Sequence, residues 1–205
     1  MTGRLGVTIS ALLLVSACTT ATIDLDEPRR IVGTQVDVRV DAQVFAEKVG
    51  TGSSVRVLWE IDNQRPDPIA VAELLPAVTY DEAARTIVVS VGSEVPGNEL
   101  LPRLIRIESG EKKTFDGLAR IAFRAPPPGP FNVTPRYLQL KVNFLANVEP
   151  FKELIGIPEV AVHDAQRADD LFAPWVEANE TVQTNAIPIE WIGSVSAGGA
   201  DVSRR

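Results

Sequence analysis

The sequence predicts a mainly β protein, an antiparallel β-sandwich with one or two short helices near its C-terminal end. Three observations lead there: several segments alternate apolar and polar residues with period two, turn-forming residues separate them, and no long helical period interrupts them. A strand points successive side chains to opposite faces, so such alternation marks a sheet with one face on a core and the other in water.

Taken in order, residues 18–30 follow a leader (residues 1–17) and read as a tether, because Thr19 to Arg30 is polar and carries no period. The folded domain is expected over 31–196. Val36, Val38, Val40, Ala42 and Val44 alternate with Gln35, Asp37, Arg39, Asp41 and Gln43, the pattern of a half-buried strand. Val55, Val57, Trp59 and Ile61 share one face of the next, with Trp59 placed for the middle of a core. Ala77–Tyr80 and Thr86–Val91 flank Asp81–Arg85 as a hairpin. Leu101–Glu108 and Thr114–Phe123 flank Ser109-Gly110-Glu111-Lys112 as a second, since Gly110 can supply a positive φ.

Ala125-Pro126-Pro127-Pro128-Gly129-Pro130 lacks the amide hydrogens for regular pairing and reads as an extended connection. Beyond it, Leu138, Leu140, Val142 and Phe144 alternate with Gln139, Lys141 and Asn143 as an amphipathic strand. His163–Ala173 has helix-compatible composition that Pro174 is expected to interrupt. Thr184–Trp191 is an edge-strand candidate, since Pro188 removes a ladder donor, and residues 197–205 read as a frayed tail. The strand pattern resembles the immunoglobulin-like β-sandwich domains of bacterial envelopes, without the paired cysteines of the antibody type. A barrel and a two-layer α+β domain are the alternatives.

The 205 residues, 45% hydrophobic and 23% charged, suffice for one globular core and fit neither a disordered chain nor a polytopic membrane protein. A formal charge of −7 without clustered Lys and Arg argues against nucleic acid as a partner. With one Cys and one His, zinc sites and most nucleophile–base arrangements have no raw material, and no cofactor is expected.

At the N-terminus, Arg4 precedes an apolar run from Leu5 to Val15 that is too short to span a bilayer and has the layout of a secretory signal. Val15-Ser16-Ala17-Cys18, preceded by Leu12-Leu13-Leu14, resembles the lipobox of bacterial lipoprotein precursors and contains the sole cysteine of the chain. The resemblance covers about the first eighteen residues. It implies cleavage between Ala17 and Cys18 and a diacylglyceryl group on the Cys18 thiol, so the expected partner is a membrane held through acylated Cys18. Several acyl chains hold a soluble domain to a bilayer where one is marginal. Thr19, in place of an Asp after the cysteine, points to the outer membrane of a Gram-negative cell, facing the periplasm. Cleavage takes one of the 20 bases, Arg4, and none of the 27 acids, leaving a formal −8 that disfavours contact with anionic lipid.

Elsewhere the chemical motifs dissolve on inspection. His163 beside Asp164 reads as a solvated pair, and Asp169-Asp170 and Asp24, Asp26 and Glu27 read as charged surface, because no calcium loop spacing surrounds them. Ser194-Val-Ser-Ala-Gly198 has Ser where a nucleophile elbow needs its first Gly, and Gly50-Thr-Gly-Ser-Ser54 lacks the Lys of a phosphate loop. Two apolar segments stand out as possible contacts for an envelope protein partner. One is the pre-extended run Pro126, Pro127, Pro128 with Phe131, and the other is the cluster around Phe172 and Trp175, which core packing explains better than a partner does.

The expected function is therefore a lipid-anchored, non-catalytic envelope adaptor, accessory subunit or binding module. Two alternatives remain. A carboxylate-dependent glycan hydrolase requires two acids from different strands in one cleft, about 5 to 9.5 Å apart. A loop-presenting protease inhibitor would use Pro126–Phe131 or Val95–Asn98.

Overall fold

A computed structural model describes residues 28–45, 48–92, 99–123 and 133–194. The strands are β1 (Arg29–Gln35), β2 (Val38–Phe45), β3 (Lys48–Thr51), β4 (Ser54–Asn63), β5 (Ile69–Ala72), β6 (Ala77–Asp81) and β7 (Thr86–Val91). They continue as β8 (Leu100–Pro102), β9 (Leu104–Ile107), β10 (Lys112–Arg120) and β11 (Tyr137–Leu145). After a 3₁₀ helix over Glu149–Leu154 come β12 (Ala161–His163), helix α1 (Ala165–Ala178), β13 (Asn179–Gln183), β14 (Ile187–Pro188) and β15 (Glu190–Ser194).

Two sheets face each other across the main core. One is ordered β1-β2-β4-β10; the other is ordered β6-β7-β11-β5-β9, with β13 and β14 also paired to β11. The alternation in β2, β4 and β11 does what periodicity requires: Val38, Val40, Ala42 and Val44 meet Val55, Val57, Trp59 and Ile61, and Leu138, Leu140, Val142 and Phe144 face them from the opposite sheet. The mainly β sandwich with few helices is thus the fold, and among the described residues no closed barrel forms.

Several local expectations are corrected. The β6–β7 hairpin forms, with Tyr80 opposite Ile87, but Leu101–Glu108 does not pair with 114–123. Instead β10 runs antiparallel to β4, with Phe115 opposite Trp59, and β9 pairs with β5. The two segments therefore belong to opposite sheets. Nor is the second sheet purely antiparallel, since β7 and β11 run parallel from Tyr137 opposite Thr86 to Val142 opposite Val91. β1 begins at Arg29, inside the expected tether, and forms a hairpin with β2. Pro174 lies within α1 rather than ending it.

The β1–β2 turn is Val36-Asp37, both with positive φ, 46° and 58°. Positive φ at both central residues is the signature of the tight turn that matches strand twist, and it suits Asn-Gly far better than a β-branched residue. Val36 is half-exposed, so no packing offsets the strain. Replacing Val36-Asp37 with Asn-Gly is expected to stabilise the fold by about 1 kcal/mol, read as a rise in the urea midpoint with an unchanged slope.

A second, smaller core sits on the outer side of β5. All four residues of β5 are buried: Ile69 and Val71 face the main core, while Ala70 and Ala72 face Leu101, Leu145, Phe151, Leu171 and Trp175. The small alanines leave room for the 3₁₀ helix and α1 to lie against the sheet. Asp164 caps α1 by accepting a hydrogen bond from the Arg167 amide at 3.0 Å, which gives the acid next to the lone histidine a structural task.

Candidate functional site

The segment 124–132 holds Pro126, Pro127, Pro128 and Phe131 and lies outside the described residues, as do Ala17 and Cys18. Both ends of the proline-rich connection are nevertheless anchored. On the entry side, Phe123 stacks between Tyr80 and Trp191, with centroids at 5.3 and 5.9 Å and planes within 7° and 10° of parallel. Thr51 donates its hydroxyl to the Phe123 carbonyl at 2.9 Å. On the exit side, the Tyr80 hydroxyl donates to the Val133 carbonyl, and Arg85 donates two guanidinium hydrogens to the Thr134 carbonyl at 2.9 and 2.8 Å. Burial pushes the Tyr80 phenol above its ordinary pKa, so it remains a donor there.

The other segment singled out in the sequence separates into two unlike residues. Trp175 is fully buried and meets Phe151 edge-on at 5.3 Å, so it belongs to the second core and is not available to a partner. Phe172 points away from that core and is half-exposed, as is Val176 one turn later. The buried stripe of α1 runs through Ala168, Leu171, Trp175 and Ala178, and Phe172, turned about 100° from its neighbour Leu171, falls just outside it.

The outer face of the four-stranded sheet brings two acids together. Asp41 on β2 lies directly opposite Glu60 on β4, and both line a shallow cavity of about 300 Å³ with Gln43, Leu58 and Thr114. Each is engaged with cations. Arg30 Nε donates to Asp41 Oδ1 at 2.8 Å with Arg39 also at 3.5 Å, and Lys112 lies 3.4 Å from both Glu60 and Asp62. The hydrogen bond from Arg30, reinforced by the charges of Arg30 and Arg39, holds the Asp41 carboxyl below the ordinary carboxylate range. A general acid needs the opposite displacement. Arg56 and Asp116 extend the same lattice of ion pairs at 2.7 Å.

The outer face of the second sheet has a different chemistry. Its strands β6, β7, β11 and β13 form the floor of a trough of about 580 Å³ whose lining is mostly neutral and hydrogen-bonding. Pairing register builds it: Ala77, Ser90, Lys141 and Gln183 form one row across the four strands, and Thr79, Val88 and Gln139 form the next. The polar face of β11 was legible in the sequence as Gln139, Lys141 and Asn143, but nothing local indicated that Ser90 and Gln183 would flank it.

Among the described residues, no group of three or more His, Cys, Asp or Glu is placed to hold a metal ion, and no helix is long and apolar enough to cross a membrane. His163 is exposed, 3.6 Å from Glu99. The molecule is thus a mainly β, two-sheet sandwich with a helical appendage and two chemically distinct outer faces. No family model matches the chain, and no curated protein or solved structure is significantly similar to it.

Proposed function

We propose that this chain is a lipid-anchored cell-envelope protein whose sandwich serves as a non-catalytic binding module. The observation that carries the reading is Val15-Ser16-Ala17-Cys18, the lipobox-like end of an export signal that contains the sole cysteine. From Cys18 to Arg29 the chain reaches at most about 40 Å, enough to hold an acidic domain clear of lipid headgroups. Thr19 favours the outer membrane of a Gram-negative cell, facing the periplasm. Asp41, the acid that faces Glu60 across the strand pair, weighs against a carboxylate hydrolase, because Arg30 holds its carboxyl below the ordinary range where a general acid needs it raised.

Expression of the full chain in a bacterial host tests the proposal. The wild-type protein is expected in the membrane fraction, with an N-terminal peptide that starts at Cys18 and carries the mass of a diacylglyceryl group. Cys18→Ser should keep the precursor mass and lose that lipid altogether. An unmodified Cys18 in the mature wild-type protein would overturn the assignment.

A further inference from the structure

We infer that the trough on the outer face of the second sheet is a binding site for a glycan chain. The strongest argument is a contrast within the molecule. A solvated sheet face is polar, and the first sheet meets this with charge, in its lattice of Arg30, Asp41, Arg56, Glu60, Lys112 and Asp116. The trough is lined instead by Thr79, Ser90, Gln139, Asn143 and Gln183, with Lys141 and Asp81 as the charged members. Neutral donors and acceptors in rows complement a ligand that is rich in hydroxyl or amide groups and poor in charge; an ionic ligand would find little counter-charge.

Rigidity supports the assignment. Gln139 is oriented by donating its side-chain amide to the Thr184 carbonyl at 2.6 Å, which leaves its Oε1 to accept. Asn143, almost fully buried, donates to the Val91 carbonyl at 3.2 Å and accepts from the Thr181 hydroxyl at 2.9 Å. Side chains held in this way lose little freedom when a ligand arrives. Gly92 is required at one end of the floor, where φ is +75° and a Cβ would stand 2.5 Å from the Asn143 carbonyl oxygen.

Size fits as well. The four strands span three inter-strand spacings, roughly 14 Å, the width of a short run of sugar rings. A volume of about 580 Å³ is in the range of small-molecule sites. The inference rests on the proposed envelope location only for where the ligand would be met; the trough's chemistry is independent of the anchor.

The test uses the full-length protein purified from membranes in detergent, titrated calorimetrically with chitotetraose, cellotetraose and xylotetraose. Saturable binding of at least one is expected. It should weaken at least tenfold in Ser90→Tyr, which fills the four-strand row, and in Gln183→Ala, which removes an exposed amide, and should be unchanged in Asp41→Asn on the opposite face. Thermal melts of each variant separate lost binding from lost fold. Absence of binding to all three at millimolar concentration, or binding unaffected by both trough variants, overturns the inference. Lipid on Cys18, read by mass in the same preparation, shows independently whether the anchor proposal stands.

Discussion

Trp175→Ala is expected to destabilise the protein by about 4 kcal/mol and to release α1 from the sheet before the sandwich itself unfolds. Trp175 is fully buried and fills the second core between Phe151, on the 3₁₀ helix, and the alanines of β5. Nothing nearby can collapse into the space, because α1 approaches the sheet through Ala168, Leu171, Trp175 and Ala178 on one stripe. A helix of 14 residues with Pro174 inside it is not stable in isolation, so its structure depends on that docking. Hydrogen exchange should accelerate over Ala165–Ala178 while β2, β4 and β11 stay protected. A loss below 1 kcal/mol, or uniform acceleration across both cores, would show that the helix is not held by this ring.

The second large effect is at Gly33 on β1. A Cβ there would lie 2.3 Å from the Gln183 carbonyl oxygen and 2.8 Å from its carbon, both backbone atoms of β13. Neither can move without moving a strand, so Gly33→Ala should part the two sheets at this edge. The contacts at risk are Val32 N donating to Asn185 Oδ1 at 2.8 Å, Asn185 N donating to the Val32 carbonyl at 3.1 Å, and Gln183 N donating to Gln35 Oε1 at 3.0 Å. Overpacking at roughly 1–3 kcal/mol, with about 1 kcal/mol for each of the three hydrogen bonds lost, gives an expected loss of about 4–6 kcal/mol. For a chain of this size that corresponds to a fall of roughly 10 °C in Tm. A shift within 2 °C would mean that β1 accommodates the methyl without leaving β13.

Neither effect is visible in the sequence, and the reason is the same. Gly33 lies between a polar stretch and an alternating one, and its necessity comes from a strand 150 residues later. Trp175 sits in an apolar cluster whose sequence favours the core but does not separate Trp175 from Phe172 until α1 is set against β5. The acids Asp41 and Glu60 face each other because β2 and β4 pair in one register. The rows of the trough exist because β7 lies parallel to β11.

Period and local chemistry encode the secondary elements. The strands β2, β4 and β11, the inward placement of Trp59, the β6–β7 hairpin and the acidic character follow from alternation, turn residues and composition. Tertiary structure alone decided which strands pair, that β10 belongs with β4 rather than β9, that a second core forms on β5, and which outer face is charged and which neutral. An amphipathic strand buries its apolar face equally well beside many neighbours. The choice among them is made by long-range packing, such as the close approach at Gly33 and the paired alanines of β5, which no short window of sequence contains.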